Sequence, residues 1–306
     1  MSPVSDLLSG GVHLALPVLL AASGELISER AGVLNLSLEG MMLTGAFASV
    51  AGALQSGDAT VGVLCGVAAA VLFAALQAVL SVTLRADQVV VGIAANALAL
   101  GATTYGSRVM LGDDRNATVP SFDELPVPGL SDIPYVGPAL FAHTALGYAA
   151  LALVAVIGLA ASRRTGLGLA VDAAGEDAET ADRSGLPVRG IRYACVLLAG
   201  LTAGLGGAQL ALSEVHAFTD NMTAGIGYLA VVAVIAGRWR ALPTALACVF
   251  FGIAQALQFT APALGVDLPV AVLVMSPYVI ALLAVSGLVG RSRAPACLTV
   301  PFARTG

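Results

Sequence analysis

The sequence predicts an all-α fold, a polytopic membrane helix bundle of about nine transmembrane spans within a range of eight to ten. Hydrophobic residues make up 58% of the 306 residues, charged residues make up only 11%, and long apolar stretches recur along the chain. A water-soluble domain has about 25% charged residues on average. A chain with less than half of that fraction must present apolar surface to lipid, and we treat residues 1–306 as a single transmembrane domain.

Nine stretches approach the roughly 20 apolar residues that a helix needs to cross a bilayer core of about 30 Å. They run over 11–28, 32–54, 60–82, 88–108, 139–161, 191–213, 223–237, 241–261 and 269–290. The third stretch contains no charged residue. In the fifth, the only residue that could carry a charge near neutral pH is His143, near its start. Each stretch is therefore predicted to form one membrane-spanning helix.

Arginine predicts the orientation, because short loops rich in basic residues remain in the cytoplasm. All 14 basic residues are Arg, and most follow odd-numbered spans. With nine spans they fall on one face, which we assign to the cytoplasm with the N-terminus outside: Arg30, Arg85, Arg163, Arg164, Arg183, Arg189, Arg192, Arg238, Arg240, Arg291, Arg293 and Arg304. The acidic, proline-rich segment 109–138 is then predicted to be an irregular external loop.

Several functions are excluded by what the sequence lacks. A phosphate-binding loop of the G-x-x-x-x-G-K-[ST] type needs its Lys on the phosphates, and this chain has no Lys. If ATP powers the protein, another chain must hydrolyse it. The isolated His13, His143 and His216 and the widely spaced cysteines predict neither an enzyme nor a metal site. The absence of a basic patch argues against nucleic acid as a partner.

Polar residues interrupt the apolar pattern over residues 24–42. An ionisable group at membrane depth costs at least about 2.5 kcal/mol and faces a bundle interior or water. A helix that starts near Gly32 would place Asn35 and Glu39 on one face and Ser37 off it. A broken helix with polar groups at the break is one way to build a transport site. The alternative is a helix-packing network, with Glu25 or Glu29 paired to Arg30.

The candidates for lining a translocation pathway share a polar side chain inside an otherwise apolar stretch. They are Asn35, Ser37, Glu39, Asn96, Gln209 and Gln255. Gly200 and Gly204 form a G-x-x-x-G pair, which predicts a close helix–helix contact rather than a binding site.

The loop 163–190 is predicted to be cytoplasmic and to contain a short amphipathic helix outside the membrane. Glu176, Asp177 and Glu179 are predicted to lie in its first turn, where negative charge is favourable. Arg183 is predicted in its last turn, and Gly185 in the left-handed position after it. An ordinary solvated helix would show the same pattern, whereas in a transporter such a helix would dock on an ATPase and transmit its closure. The candidate coupling residues are Gly175, Glu176, Asp177, Glu179, Asp182, Arg183 and Gly185.

With these residues in view, the chain resembles the permease subunits of bacterial ABC importers for simple sugars and nucleosides, relatives of the ribose and branched-chain amino acid permeases. The matching segments are 25–35, 39–42, 175–188, 237–239 and 276–278. The chain departs from the family where Asp177 and Ala178 replace the usual Asn-Pro, and where Asp172 precedes the Ala-Ala-Gly run in place of Arg.

The resemblance implies import by alternating access across a bacterial plasma (inner) membrane, with a nucleoside expected ahead of a simple sugar. It also implies no cofactor in this chain, because ATP and Mg would be bound by partner ATP-binding cassette ATPase subunits. Further implied partners are a second permease, identical or homologous, an extracytoplasmic solute-binding protein and membrane lipid. The alternative function is an ion- or proton-coupled secondary transporter that would use Glu39 or Glu25 as its titrating group.

Overall fold

A computed structural model describes residues 3–112, 119–131, 133–134, 137–162, 164–261, 263, 265, 269–284, 286 and 293–303. The helices are α1 (Pro3–Arg30), α2 (Leu38–Ser56), α3 (Ala59–Ala78), α4 (Gln88–Met110), α5 (Gly137–Phe141), α6 (Ala145–Ala160), α7 (Gly166–Glu176), α8 (Ala178–Arg183), α9 (Val188–Gln209), α10 (Ile226–Ala236), α11 (Ala241–Thr260) and α12 (Val270–Leu283). Short π-helical turns extend α3 over Val79–Thr83 and α9 over Leu210–Val215. The predicted all-α membrane bundle is confirmed.

Each of the nine predicted stretches contains a helix in the described part of the chain, namely α1, α2, α3, α4, α6, α9, α10, α11 and α12. Five of these helices, with their π-helical extensions, are long and apolar enough to cross a membrane: α1, α3, α4, α9 and α11. The helices α6, α10 and α12 are apolar but shorter. Large apolar side chains on the outer helices remain exposed and form the surface expected against lipid, among them Leu72, Leu98, Leu159, Leu246 and Leu282.

The centre of the bundle is built on small residues that bring helix backbones together. A Cβ on Gly204 of α9 would lie 2.7 Å from the Ala70 Cβ and 3.0 Å from the Val67 Cα of α3. A Cβ on Gly45 of α2 would lie 2.8 Å from the Gly204 Cα. The predicted close contact at Gly200 and Gly204 is therefore confirmed, and it holds α2, α3 and α9 together.

One end of the bundle collects the arginines, and we call it the arginine-rich face. It contains Arg30, Arg85, Arg189, Arg238, Arg240 and Arg293. The end of α1 meets the end of α6 through a 2.7 Å hydrogen bond from Arg30 Nη1 to the Ala161 carbonyl. The start of α9 meets the end of α3, where the hydroxyls of Tyr193 and Thr83 are 2.5 Å apart. The prediction that this face is cytoplasmic remains a prediction, and Arg163, Arg291, Arg304, Asp113, Asp114, Arg115 and Asp132 lie outside the described residues.

Two predicted spans differ from the structure. The second does not begin near Gly32, because residues 31–37 are irregular and α2 begins at Leu38. The fifth, 139–161, is not one helix. The hydroxyl of Thr144 accepts a hydrogen bond from the Gly147 amide and caps α6, while residues before it form a strand. That strand, β2 (Ala142–Thr144), pairs antiparallel with β1 (Glu124–Pro126), so the predicted external loop is partly ordered.

Candidate functional site

The irregular segment 31–37 is attached to α4 by side chains that satisfy its backbone. The Leu34 amide donates a hydrogen bond to Gln88 Oε1 at 2.8 Å. Asn96 Nδ2 donates to the Leu36 carbonyl at 2.7 Å, and its Oδ1 accepts from the Gly40 amide at 2.8 Å. Because these polar groups replace helical hydrogen bonds, the chain can leave the helical conformation inside the bundle without leaving its backbone unsatisfied.

Asn35 and Ser37 lie in the irregular segment 31–37, which we call the break, and both residues are buried. Ser37 Oγ donates to Asn35 Oδ1 at 2.7 Å, and the Asn35 amide donates to Glu25 Oε1 of α1 at 3.0 Å. The prediction that Asn35 and Glu39 share a helix face, with Ser37 off it, is wrong because Asn35 precedes the helix. The broken helix itself is present, and polar groups occupy the break.

Glu39 caps the first turn of α10. Its Oε1 accepts hydrogen bonds from the Thr223 hydroxyl at 2.6 Å and the Gly225 amide at 2.8 Å, and its Oε2 accepts from the Gly227 amide at 2.7 Å. The amides of a helix's first turn lack partners within the helix, and the helix dipole favours a negative charge there. A buried carboxylate therefore joins α2 to the start of α10.

The helix α10 begins inside the membrane. It has 11 residues, which at 1.5 Å per residue span about 16 Å, roughly half of a bilayer core. It ends beside Gly237 at the arginine-rich face, so its capped start lies at membrane depth. Gly227 permits the close approach, because a Cβ there would lie 2.6 Å from the Glu39 Cα. Two interrupted helices, α2 and α10, thus start next to each other.

Two tyrosines border the junction where α2 and α10 start next to each other. Neither was predicted from the sequence as a site residue. Asn96 Nδ2 donates a hydrogen bond to the Tyr228 hydroxyl at 2.6 Å, and the Tyr278 hydroxyl donates to the Ala224 carbonyl at 2.5 Å. Tyr228 is 41% exposed and Tyr278 is 40% exposed. The sequence signal that could have found Tyr228 is the pair of glycines, Gly225 and Gly227, just before it.

The remaining pathway candidates do not join this junction. Gln209 Nε2 donates to Glu214 Oε1 at 3.0 Å, and that oxygen lies 3.7 Å from His13 Nδ1. The rings of His13 and His143 lie 4.5 Å apart, which makes a second polar cluster. Gln255 lies on α11, where its Nε2 is buried without a hydrogen-bond partner among the described residues. The structure therefore brings together four of the six candidates: Asn35, Ser37, Glu39 and Asn96.

The predicted amphipathic helix outside the membrane is α8, and it is shorter than expected. Asp177 caps it, with Oδ1 accepting from the Thr180 amide at 3.0 Å and Oδ2 accepting from the Thr180 hydroxyl at 2.7 Å. These hydrogen bonds hold the pKa of the Asp177 carboxyl below its ordinary value. The prediction that Glu176 and Asp177 lie in the first turn is wrong, because Glu176 is the last residue of α7 and Asp177 is the capping residue.

The rest of the α8 pattern agrees with the prediction. Glu179 lies in the first turn and Arg183 in the last turn, and Arg183 Nη2 is 3.5 Å from Glu179 Oε2. Gly185 has a left-handed backbone conformation with a φ of +89°. Ala178 and Ala181 are buried in a cluster with Val188 and Phe302. The charged side of α8 faces solvent at the arginine-rich face, apart from the half-buried Asp182.

The helix α7 joins α8 to the end of α1. Arg30 Nη2 lies 2.6 Å from Asp172 Oδ1, and Arg30 Nε donates to the same oxygen at 2.7 Å. Gly175 packs directly on the Arg30 carbonyl, where any larger residue would collide. The alternative that pairs Arg30 with Glu25 or Glu29 is wrong. Glu29 Oε2 instead accepts a 2.6 Å hydrogen bond from Trp239 Nε1, in the turn that follows α10.

Arg192 was assigned with the loop arginines to the face predicted to be cytoplasmic, and the structure shows that its side chain is buried, with 2% exposure. Its Nε donates to the Ala31 carbonyl at 3.1 Å, and its Nη1 donates to the Val300 carbonyl at 2.9 Å. Its Nη2 lies 3.5 Å from the Ala174 carbonyl at the end of α7. One guanidinium thus ties the break, α7 and the C-terminal segment to α9.

These features define a polytopic membrane transport protein whose interrupted helices are connected to a solvent-exposed helix at one face. The chain belongs to the family described as branched-chain amino acid transport system / permease component, whose model matches residues 7–285. It is the membrane permease subunit of an ABC importer, an integral protein of the cytoplasmic membrane. This membership favours the ATP-driven interpretation over an ion- or proton-coupled carrier.

Three relatives are similar along most of their length. The guanosine ABC transporter permease NupQ of Bacillus subtilis is 36% identical, covering 94% of this chain and 93% of NupQ. TsgC13 of Haloferax volcanii, provisionally named a glucose ABC transporter permease, is 37% identical over 88% of this chain and 81% of its own. The nucleoside ABC transporter permease NupC of Lactococcus lactis is 32% identical over 91% of this chain and 90% of NupC. No solved structure matches the chain.

Proposed function

We propose that this permease moves nucleosides inward by alternating access, and that α8 receives the driving movement from a separate ATPase subunit. The observation that supports this mechanism is a continuous path of contacts. It runs from α8 through α7 to Arg30 at the end of α1, and from Glu25 and Glu29 of α1 to the break and to Trp239. A displacement of α7 would therefore act on both interrupted helices, α2 and α10.

The assembly that we propose contains two ATPase subunits, a second permease copy or homologue, and an extracytoplasmic solute-binding protein. The ATPase chains would bind ATP and Mg, since this sequence has no Lys for a phosphate-binding loop. The exposed residues Glu179, Thr180 and Arg183 of α8 are the proposed contacts to the ATPase. Gly175 and Asp172 would transmit the movement rather than touch the partner.

The coupling role is tested by changing only the exposed side of α8. We expect Glu179→Gln combined with Arg183→Gln to lower ATP-dependent uptake at least tenfold in vesicles that contain the complete transporter. The cap at Asp177 and the buried Ala178 and Ala181 remain, so the thermal stability of the isolated chain should not change. The measurements are uptake of radiolabelled solute and ATP hydrolysis stimulated by the binding protein.

The matched control removes one exposed carboxylate and one exposed guanidinium from residues far from α8, Glu124→Gln with Arg108→Gln. This variant should retain ATP hydrolysis and the maximal rate of uptake. Normal uptake by the α8 variant would contradict the coupling role. Uptake by the permease alone, without an ATPase, would contradict the ATP-driven mechanism as a whole.

The preference for a nucleoside has two supports. Two similar relatives are named as guanosine and nucleoside permeases. In addition, the partly exposed rings of Tyr228 and Tyr278 border the capped start of α10. Stacking of a base on an aromatic ring contributes about 1–3 kcal/mol, and a base offers a flat face that a simple sugar lacks. We propose that these rings, with Asn96, form part of the passage together with Asn35, Ser37 and Glu39.

Two substitutions of one residue separate stacking from hydrogen bonding. Tyr228→Phe keeps the ring and loses the hydroxyl that Asn96 contacts, whereas Tyr228→Leu loses both. We expect Tyr228→Leu to reduce uptake of radiolabelled guanosine and uridine by about tenfold, and Tyr228→Phe to reduce it less than threefold. Glucose and ribose should not be taken up at a comparable rate. Uptake of glucose alone would contradict the nucleoside proposal, and equal defects in the two variants would contradict stacking on the Tyr228 ring.

A further inference from the structure

A cavity of about 600 Å³ opens at the arginine-rich face, separate from the helix junction at membrane depth. It is formed where the end of α1, the end of α6, the side of α7, the turn between α10 and α11, and the C-terminal segment converge. Its polar lining residues are Arg30, Ser162, Asp172, Glu176, Arg238, Trp239, Arg240 and Arg293. Pockets of about 300–1,000 Å³ are of the size that holds small ligands.

The cavity has an excess of positive charge. Four guanidinium groups face it against only two carboxylates, a net charge of +2. The charge of Arg30 is balanced by Asp172 at 2.6 Å. Arg240 and Arg293, by contrast, have no acidic partner within 4 Å in the part of the chain that the structure describes, and both are exposed to the cavity mouth. An anion would complete this arrangement, since a guanidinium binds phosphate oxygens through two parallel hydrogen bonds.

Apolar surface borders the cavity. Gly158 of α6 and Ala241 of α11 line it, and the next residue of each helix is exposed, Leu159 by 72% and Leu242 by 70%. A neighbouring crevice that shares Gly158 and Ala241 has a volume of only about 30 Å³ and includes the polar Ser23 and Thr244, so it is too small for an acyl chain. A basic cavity next to exposed leucines matches a molecule with an anionic head and an acyl chain that lies on the outer surface.

We propose that this cavity binds the phosphate group of an anionic phospholipid, with Arg240 and Arg293 on the phosphate and an acyl chain against the exposed side chains of Leu159 and Leu242. Basic pockets between transmembrane helices on the cytoplasmic side are suited to such headgroups. Trp239 lies at the same level, as aromatic side chains do at membrane interfaces. A bound headgroup would bridge the turn after α10 and the C-terminal segment, in a cavity whose other walls include the end of α1 and the side of α7.

The test compares the purified full-length chain in nanodiscs of phosphatidylcholine with and without about 30% phosphatidylglycerol. We expect phosphatidylglycerol to raise the midpoint of thermal unfolding, and lipid that co-purifies through delipidation to be phosphatidylglycerol when measured by native mass spectrometry. Arg240→Gln with Arg293→Gln should abolish both effects. The matched control, Arg85→Gln with Arg189→Gln, removes the same charge from exposed positions of the same face outside the cavity and should retain both.

A third variant, Arg240→Lys with Arg293→Lys, distinguishes a lost site from a misfolded chain. It keeps the charge and should retain a reduced effect of phosphatidylglycerol. A separate arm adds inorganic phosphate to the detergent-solubilised chain, where no stabilisation is expected. Stabilisation by phosphate equal to that by phosphatidylglycerol would overturn the lipid as the source of the phosphate. Equal losses in the Gln pair and the control, or none in either, would overturn the site.

Discussion

The carboxylate of Glu39 replaces the water that would solvate the start of α10 if that helix began outside the membrane. Its two oxygens accept three hydrogen bonds from residues nearly two hundred positions away, at distances of 2.6–2.8 Å. Arg192 has an equivalent role at the arginine-rich face, where one guanidinium contacts three carbonyl groups. In each case a single ionised side chain satisfies backbone groups that no regular structure could satisfy.

Glu39→Gln should destabilise the chain by about 2 kcal/mol, because hydrogen bonds to a charged group are worth about 1.5–3 kcal/mol and the amide cannot accept at both positions. The midpoint of thermal unfolding in one detergent measures the loss. Glu124→Gln, which changes an exposed carboxyl in β1, should leave the midpoint unchanged. Equal midpoints for the two variants would show that the cap does not hold α10.

Protonation of Asp177 should release α8. The folded-state pKa of this carboxyl lies below its ordinary value of 3.8, because the Thr180 amide and hydroxyl donate to the ionised form. The cap is therefore fully present above pH 3.8 and is lost as the pH falls through the lowered pKa. Amide hydrogen exchange of 178–183, corrected for the intrinsic pH dependence, should show steady protection near neutral pH and a loss in strong acid.

Asp177→Asn provides the control for that titration. The Asn side chain can still accept from the Thr180 amide but has no carboxyl to protonate. Its protection should be somewhat lower at neutral pH and should not change with acid. A parallel acid response in both proteins would assign the loss of protection to another group.

The contacts between helices depend on small residues at fixed spacings. Gly45 of α2 and Gly204 of α9 touch backbone to backbone, and Ala70 of α3 packs on the same point. Side chains larger than Gly would separate these helices, since bilayer lipid offers no hydrophobic force to draw them back together.

Gly204→Ala should destabilise the bundle by about 1–3 kcal/mol, the usual cost of overpacking a tight contact. The added Cβ would lie 2.7 Å from the Ala70 Cβ, so α3 and α9 would have to separate. Gly190→Ala on the same helix is the control, because the nearest atom to the new Cβ is the Pro187 Cβ at 3.8 Å. Greater helix propensity should make that control neutral or stabilising, and a similar loss in both would contradict the contact.

The difference between α9 and α2 shows which elements a sequence can predict. The contact at Gly200 and Gly204 was predictable because it depends on a four-residue spacing within one helix. The break at 31–37 was only partly predictable. Its polar composition indicated an interruption. The side chains that satisfy its backbone, however, are Gln88 and Asn96 on α4, which are distant in sequence. Arg192 was misplaced for the same reason, since its carbonyl partners are distant in sequence.

The whole molecule connects its solvent-exposed helix to its membrane interior through few side chains. Between α7 and α1 the principal link is Arg30 with Asp172, supported by Gly175 on the Arg30 carbonyl. The end of α1 then contacts both the break and Trp239. A rigid link of this kind would pass a movement of α7 to α2 and α10 together, which alternating access requires.

A double-mutant cycle on Arg30→Gln and Asp172→Asn should give an interaction energy of about 0.5–3 kcal/mol, as expected of a largely buried pair in direct contact. The same cycle on the exposed pair Glu179→Gln and Arg183→Gln should give well under 1 kcal/mol. Thermal unfolding of the isolated chain measures both cycles. In the assembled transporter, each Arg30 or Asp172 variant should hydrolyse ATP with several-fold less uptake per ATP. Full uptake in both single variants would remove this pair from the proposed path.

The short length of α10 has a consequence for biosynthesis. Eleven residues are too few to settle in a bilayer as an independent segment, and the first amides of this helix stay unsatisfied until Glu39 reaches them. Thr223 leaves the ribosome 184 residues after Glu39. At about 5–20 residues per second, that delay is roughly 10–40 s. For that interval Glu39 must be accommodated in the nascent chain without the three donors that it contacts in the folded protein.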